Sequence, residues 1–174
     1  MKTDRHHFII IGMMGTGKTT VGKELSKRLN FEWKDTDQEL EARFGCTIAE
    51  YFSRYGEEAF RQEESRLLGM LLNGSPLLLS TGGGIVLKEE NRAMMREKGF
   101  VVQLFAEPEE IIRRLSPVTH ERPLLQGSLH EKVYTIMKER EGLYDFADLT
   151  VDTTGRSIDG IVQEILSFWK NAFK

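Results

Sequence analysis

A glycine-rich segment near the N-terminus matches the phosphate-binding loop pattern G-x-x-x-x-G-K-[ST] at every fixed position, and it runs from Gly12 to Thr19. The short run before it, residues 7–11, is apolar and rich in β-branched side chains. After it, apolar residues recur at helical spacing at Val21, Leu25 and Leu29. Because the pattern requires a strand before it and a helix after it, this context predicts an α/β protein that binds a nucleoside triphosphate.

Each part of this loop has a physical role. Glycines let backbone N–H groups turn towards phosphates, and the following helix adds its positive N-terminal end. We expect Lys18 to reach the β- and γ-phosphates and the Thr19 hydroxyl to bind Mg²⁺, with Thr20 as a further phosphate donor. The predicted nucleotide-binding residues of the loop are Gly15, Thr16, Gly17, Lys18, Thr19 and Thr20.

Further apolar runs without alternation predict buried strands, and amphipathic stretches between them predict helices. The strands are predicted at 77–81, 100–105 and 149–151, and the helices at 53–72, 88–98, 107–115 and 129–146, with a last helix around 158–169. This alternation predicts a doubly wound, three-layer α/β/α fold with a central parallel sheet, in one domain spanning residues 1–174. Residues 116–128 lack periodicity, and we expect them to form a mobile lid.

Charge and composition exclude several classes of function. Basic residues (24) are slightly outnumbered by acidic ones (27), which argues against a nucleic-acid partner. The apolar N-terminal run is too short for a membrane span or a signal sequence, so we expect a cytoplasmic protein with no membrane partner. Cys46 is the only cysteine, and we expect an inert thiol. The partners that remain are small molecules.

A pair of carboxylates follows residues 31–33, at Asp35 and Asp37. In an extended segment, side chains two residues apart point the same way, so both would face one site. One would support the magnesium shell and the other would accept a hydrogen bond from a substrate hydroxyl. The same spacing also fits helix-capping or turn aspartates, and the sequence leaves both interpretations open.

Two further features point to a polar ligand. Gly82, Gly83 and Gly84 follow a predicted strand, where glycines permit close approach of a ligand and leave N–H groups to bind it; a tight turn into the next helix is the alternative. Arginines hold carboxylates or phosphates through paired hydrogen bonds, although a solvated helix face is their commoner setting. The three arginines that stand out by context are Arg61, Arg122 and Arg140.

Taken together and in order, these segments resemble the shikimate kinase family of P-loop proteins over nearly the whole chain. The segments that carry the resemblance are 12–22, Asp35-Thr36-Asp37, Phe60-Arg61 with Glu64, 80–84, Arg122-Pro123-Leu124-Leu125, and Arg140 with Tyr144 and Ala147. The resemblance implies a three-layer α/β/α P-loop kinase fold with a mobile lid, and phosphorylation of shikimate at its 3-hydroxyl by ATP with Mg²⁺.

The resemblance also implies a role for each matching position. Arg61 and Arg140 would bind the shikimate carboxylate, while Asp37 and the glycine backbone would bind the ring hydroxyls. Asp35 would support the magnesium shell through water, and the catalytic residues would be Lys18, Asp37 and the lid residue Arg122. Positions similar to those flanking the adenine are Arg114 and Arg156.

Other interpretations remain at this stage. Another small-molecule kinase, for gluconate or a nucleotide, is one alternative, although the chain lacks the Asp-Gly-Phe-Pro-Arg-like segment usual in nucleotide kinases. A nucleotide-binding regulatory module is another, but Lys18, Asp37 and Arg122 serve transfer rather than binding alone. We expect a monomer.

Overall fold

A computed structural model describes residues 5–119 and 126–172. Its centre is a five-stranded sheet of order β2-β3-β1-β4-β5 in which every neighbouring pair is parallel. The strands are β1 (His7–Gly12), β2 (Glu32–Asp35), β3 (Leu77–Ser80), β4 (Gly99–Phe105) and β5 (Leu149–Asp152).

Helices connect the strands and cover both faces of the sheet. They are α1 (Lys18–Leu29), α2 (Thr36–Phe44), α3 (Ile48–Leu72), α4 (Glu89–Lys98), α5 (Pro108–Thr119), α6 (Gln126–Glu139) and α7 (Ile158–Ala172), with a short 3₁₀ helix at Ile85–Leu87. Within the described ranges, no helix combines the length and apolar character needed to cross a bilayer.

The two faces of β1 belong to two separate cores. Ile9 and Ile11 pack with residues of α3 to α6, whereas Phe8 and Ile10 pack with residues of α1 and α7. All four side chains are fully buried. Because the central strand is covered on both sides, the three-layer α/β/α architecture predicted from the sequence is confirmed.

Several predicted boundaries are wrong. Helix α3 begins at Ile48 rather than at residue 53, because Thr47 and Glu50 form a capping box there. The helix is kinked at Gly56, whose φ of 81° is not helical. Helix α6 ends at Glu139 rather than at residue 146, since Gly142 adopts a left-handed φ of 77° and the chain turns. The predicted lid is partly helical, because α5 continues to Thr119 and α6 begins at Gln126; residues 120–125 lie outside the described part.

The carboxyl ends of all five strands meet at one edge of the sheet, as parallel pairing requires. The loop after β1, the start of α2, the glycines after β3, and Thr153 after β5 all lie along this edge. Ligands of open α/β sheets bind at such an edge. The fold therefore gathers the predicted site segments in one place.

Gly22 allows helix α1 to approach the sheet closely. A Cβ at this position would overlap Ser80 Oγ and would lie 2.8 Å from Trp33 Nε1. We therefore expect Gly22→Ala to lower the free energy of unfolding by about 1–3 kcal/mol, a typical cost of overpacking. Urea denaturation measures this difference. Gly69→Ala is the control, because its Cβ would meet only Met94 Sδ at an ordinary 3.8 Å; equal stability of Gly22→Ala and wild type would contradict the packing described here.

Candidate active site

The phosphate-loop segment has the backbone that its glycines predict. Gly15 and Gly17 have φ angles of 77° and 97°, which L side chains rarely adopt, and α1 begins immediately afterwards at Lys18. The Lys18 ammonium donates to the Met13 carbonyl oxygen at 2.7 Å, across the loop. The loop thus holds its lysine over the N-terminal end of α1, where an anion is favoured.

Lys18 lies in an environment that disfavours its charge. Burial lowers the pKa of Lys18 to about 8, against the opposing attraction of Asp37 and Asp35. Arg140 lowers it further by repulsion. A buried cation held between charges of both signs is typical of a functional site rather than of a solvated surface.

The prediction that Asp35 and Asp37 share an extended segment is wrong. Asp35 ends β2 and caps α2, and its Oδ1 accepts from the backbone N–H groups of Asp37 (3.0 Å) and Gln38 (3.4 Å). Its Oδ2 accepts from the Thr19 hydroxyl at 3.0 Å. The capping interpretation is therefore correct for Asp35, and the same carboxylate also reaches the phosphate loop.

Asp37 lies in the first turn of α2 and faces the glycine loop. A Cβ at Gly82 would lie 2.5 Å from Asp37 Oδ1, so the carboxylate rests against the glycine backbone. Burial raises the pKa of Asp37, Asp35 raises it further, and Lys18 lowers it. Two carboxylates and one ammonium therefore lie within electrostatic range of each other, although helix geometry, not an extended strand, brings them together.

The three glycines make room for charged side chains as well as for a ligand. Asp37 lies against Gly82, Arg140 donates to the Gly83 carbonyl oxygen at 2.6 Å, and a Cβ at Gly84 would overlap the Arg61 guanidinium. The Gly82 N–H, predicted to await a ligand, instead donates to Thr36 Oγ1 at 2.8 Å. Three consecutive glycines thus lie against three charged side chains, which come from α2, from α3 and from the residue after α6.

Arg61 is not on a solvated helix face, since its side chain is only 14% exposed. It donates to Glu64 Oε2 at 2.8 Å and pairs with Glu57 at 3.3 Å. Its guanidinium also lies 5.2 Å from the ring centroid of Phe60. These contacts fix the guanidinium at the glycine loop, as recognition of a planar anion requires.

Glu64 is a site residue to which the sequence analysis assigned no role. Its side chain is 1% exposed, burial raises its pKa, and Oε1 has no hydrogen-bond partner within residues 5–119 and 126–172. The sequence feature that could have identified Glu64 is its spacing, because a carboxylate three residues after Arg61 lies on the same helix face.

Arg114 and Arg156 lie at a neighbouring cleft of about 440 Å³ that is also lined by Gly17 and Thr20. Arg114 donates to the carbonyl oxygens of Gly15 (3.0 Å) and Thr153 (2.7 Å). Arg156 donates to the Asp152 carbonyl oxygen and pairs with Glu164 at 2.7 Å. The two arginines therefore border one cleft next to the phosphate loop.

Thr153 is a second residue that the sequence analysis missed. It is almost fully buried, and its hydroxyl lies 3.2 Å from the Thr16 carbonyl oxygen and 3.0 Å from that of Phe105. It ties the loop after β5 to the phosphate loop, and no sequence pattern marks it. The predicted lid residue Arg122 lies outside the described residues.

Comparison with known proteins gives a consistent family. A family model described as shikimate kinase matches residues 14–170. A shikimate kinase of Pelotomaculum thermopropionicum is 43% identical over 164 residues, covering 94% of this chain and 95% of the relative. The structure of shikimate kinase from Acinetobacter baumannii in complex with shikimate is similar with a TM-score of 0.88 and 34% identity, over 99% of this chain and 97% of that one.

A similar fold occurs in proteins outside that family. A gluconokinase from Sinorhizobium meliloti is similar with a TM-score of 0.61 at 16% identity, over 97% of this chain and 94% of that one. At this identity the likeness concerns the fold alone.

Proposed function

The chain belongs to the shikimate kinase family and catalyses ATP-dependent phosphorylation of shikimate; we propose that the residues gathered around the glycine loop bind shikimate and direct transfer to its 3-hydroxyl. The observation that carries this proposal is the convergence of Asp37, Arg140 and Arg61 on Gly82, Gly83 and Gly84. A polyhydroxylated carboxylate needs guanidinium groups that bind its carboxylate and a hydrogen-bond acceptor for its reacting hydroxyl.

In the proposed complex, Arg61 and Arg140 bind the shikimate carboxylate by charge-assisted hydrogen bonds. Asp37 accepts a hydrogen bond from the 3-hydroxyl and orients its oxygen towards the γ-phosphorus. Lys18 holds the β- and γ-phosphates, and Arg122 supplies positive charge as the bond to the leaving ADP breaks. The cleft bordered by Arg114 and Arg156 receives the adenosine.

Kinases of this family use ATP with a divalent metal, and we propose that the metal is Mg²⁺, held by the Thr19 oxygen and, through water, by Asp35. The Thr19 hydroxyl donates its proton to Asp35 Oδ2, so its oxygen lone pairs are available to a cation. Oxygen ligands suit Mg²⁺, which is bound by one or two protein groups together with substrate phosphates. When bound, the metal neutralises charge on the phosphates during transfer.

A substrate panel tests the function. We expect ADP release, coupled to an optical readout, to accelerate with shikimate and to stay at the background rate with gluconate or nucleoside monophosphates. Acceleration by gluconate or a nucleotide alone would assign another kinase activity. Tight ATP binding without turnover on any acceptor would favour a regulatory module.

The lowered pKa of Lys18 predicts how nucleotide affinity depends on pH. The phosphates bind the charged ammonium, which is fully present below a pKa of about 8 and is lost as pH rises above it. The ATP dissociation constant should therefore rise with pH above 8, by up to about tenfold per unit. Calorimetric titrations between pH 7 and 9.5 measure this. Lys18→Arg keeps its charge throughout and should show a flat profile; a flat wild-type profile would contradict the assignment.

We further propose that the protein acts as a monomer in the cytoplasm, on small molecules and not on nucleic acid. The formal net charge of −3 supports the absence of a nucleic-acid partner. Light scattering coupled to size-exclusion chromatography measures the oligomeric state, and a mass near 20.0 kDa is expected.

A further inference from the structure

One buried hydroxyl joins the phosphate loop to the glycine loop. Ser80 is the last residue of β3 and is fully buried. Its Oγ accepts a hydrogen bond from Trp33 Nε1 at 3.0 Å and donates one to the Lys18 carbonyl oxygen at 3.0 Å. A single atom therefore connects β2, β3 and the first turn of α1.

The surroundings of Ser80 hold this connection in place. Gly22 lacks the Cβ that would overlap Ser80 Oγ, so α1 can bring the Lys18 carbonyl within hydrogen-bond distance. The Trp33 indole is in turn covered by the Lys23 ammonium, which lies 4.8 Å from the ring centroid. Buried, fully satisfied hydrogen-bond networks of this kind are rigid and specify a single geometry.

The chain beyond Ser80 is fixed equally firmly. The Thr81 N–H and hydroxyl both donate to the Ile10 carbonyl oxygen, at 3.1 and 3.0 Å, and the Gly82 N–H donates to Thr36 Oγ1. These bonds restrain Thr81 and Gly82, so the glycine loop has a defined position relative to Ser80 and to the first turn of α1.

We propose that Ser80 is a positioning residue that couples the nucleotide subsite to the acceptor subsite, an inference that rests on the function proposed above for Lys18 and the glycine loop. Binding of the nucleotide phosphates to Lys18 fixes the position of the first turn of α1. Through Ser80, the position of this turn determines the positions of the three glycines and of the charged side chains in contact with them. Each ligand therefore increases the affinity for the other.

The direct measurement is the coupling factor, defined as the shikimate dissociation constant without ADP divided by that with saturating ADP. Reciprocal couplings in proteins are commonly about fivefold or more, and we expect a wild-type factor in that range. Ser80→Ala should lower the factor at least about twofold while changing the dissociation constant for each ligand alone by less than about threefold. The remaining coupling would pass through Thr19, Asp35 and Thr36. If Ser80 had only a structural role, Ser80→Ala would change the stability of the protein but leave the coupling factor unchanged.

Ser26→Ala is the matched control for this measurement. Ser26 is also buried, and its hydroxyl donates to the Lys23 carbonyl oxygen at 2.8 Å, but this bond stays inside α1. The variant removes the same chemical group from the same helix without breaking a connection to β3. It should retain the wild-type coupling factor.

A second variant covers the case in which Ser80→Ala does not fold. Trp33→Phe removes the indole N–H but keeps an aromatic ring, so the Ser80 hydroxyl loses one of its two partners. Its coupling factor should fall below the wild-type value, with Ser26→Ala again as the control.

The indole itself supplies a spectroscopic readout. The chain contains two tryptophans, so in a Trp169→Phe background all tryptophan emission comes from Trp33. ADP should change this emission when Ser80 is present and leave it unchanged in Ser80→Ala.

The possible outcomes separate this proposal from the proposed function. Shikimate turnover by the wild type tests the function. If turnover is present and Ser80→Ala and Trp33→Phe both keep the wild-type factor, the coupling role of Ser80 is refuted and the function stands. A coupling factor of 1 in the wild-type protein would also refute the coupling role of Ser80.

Discussion

Asp37→Asn is expected to lower kcat for shikimate phosphorylation by about 10²–10⁴-fold, the range typical of removing a positioned proton acceptor. The amide has almost the shape of the carboxylate and keeps the contact with Gly82, but it cannot accept the proton of the reacting hydroxyl. The nucleotide dissociation constant should change far less than kcat, because Lys18 and Thr19 are kept and loss of the Asp37 charge acts on Lys18 only by lowering its pKa. Steady-state kinetics together with nucleotide titration give both values.

Glu39→Gln is the matched control for loss of one negative charge from the same helix. Glu39 also lies in the first turn of α2, but its side chain is 38% exposed and pairs with Lys34 at 3.8 Å. Equal losses of kcat in the two variants would remove Asp37 from the mechanism. The pH profile gives a second readout: because burial raises the pKa of Asp37, wild-type activity should fall on the acid side at a higher pH than for an ordinary aspartate.

Arg61→Ala should raise KM for shikimate by about 30-fold or more, since removing one partner of a buried charge pair costs about 2–5 kcal/mol. The Arg61 guanidinium lies on Gly84 and is held by Glu64, at the point where the carboxylate is proposed to bind. KM for ATP should change by less than about threefold. Steady-state kinetics with each substrate varied in turn measure the two constants.

Two variants separate recognition from folding in this test. Arg66→Ala removes an arginine from the same helix whose side chain is 67% exposed and pairs with Glu63, and it should behave like wild type. Arg61→Ala also leaves the buried Glu64 without its counter-charge. Adding Glu64→Gln should therefore recover stability without recovering shikimate binding; recovery of both, or equal loss for both substrates, would contradict the assignment.

Local sequence patterns predicted most of the fold. The glycines and lysine at residues 12–19 fix one loop and the helix after it, and the apolar runs of β1, β3 and β4 are long enough to indicate buried strands. Strand β2 is not predicted from the sequence, because Glu32-Trp33-Lys34-Asp35 lacks an apolar run; it lies at the edge of the sheet and pairs with β3.

The arrangement of the site was less predictable. Asp35-Thr36-Asp37 fits an extended segment and a helix start equally well, and only the pairing of β2 decides between them. The contacts of Arg61 with Gly84 and of Arg140 with Gly83 join residues distant in sequence, so no local pattern contains them. The burial of Glu64 likewise depends on how α3 packs on the sheet. The sequence could therefore indicate which residues matter, but not which of them touch.

A crystal structure with ADP, Mg²⁺ and shikimate bound tests the central claim most directly. We predict that the guanidinium groups of Arg61 and Arg140 both lie within hydrogen-bond distance of the shikimate carboxylate, with Asp37 at the 3-hydroxyl. A carboxylate bound away from both arginines, or a 3-hydroxyl turned away from Asp37, would contradict it.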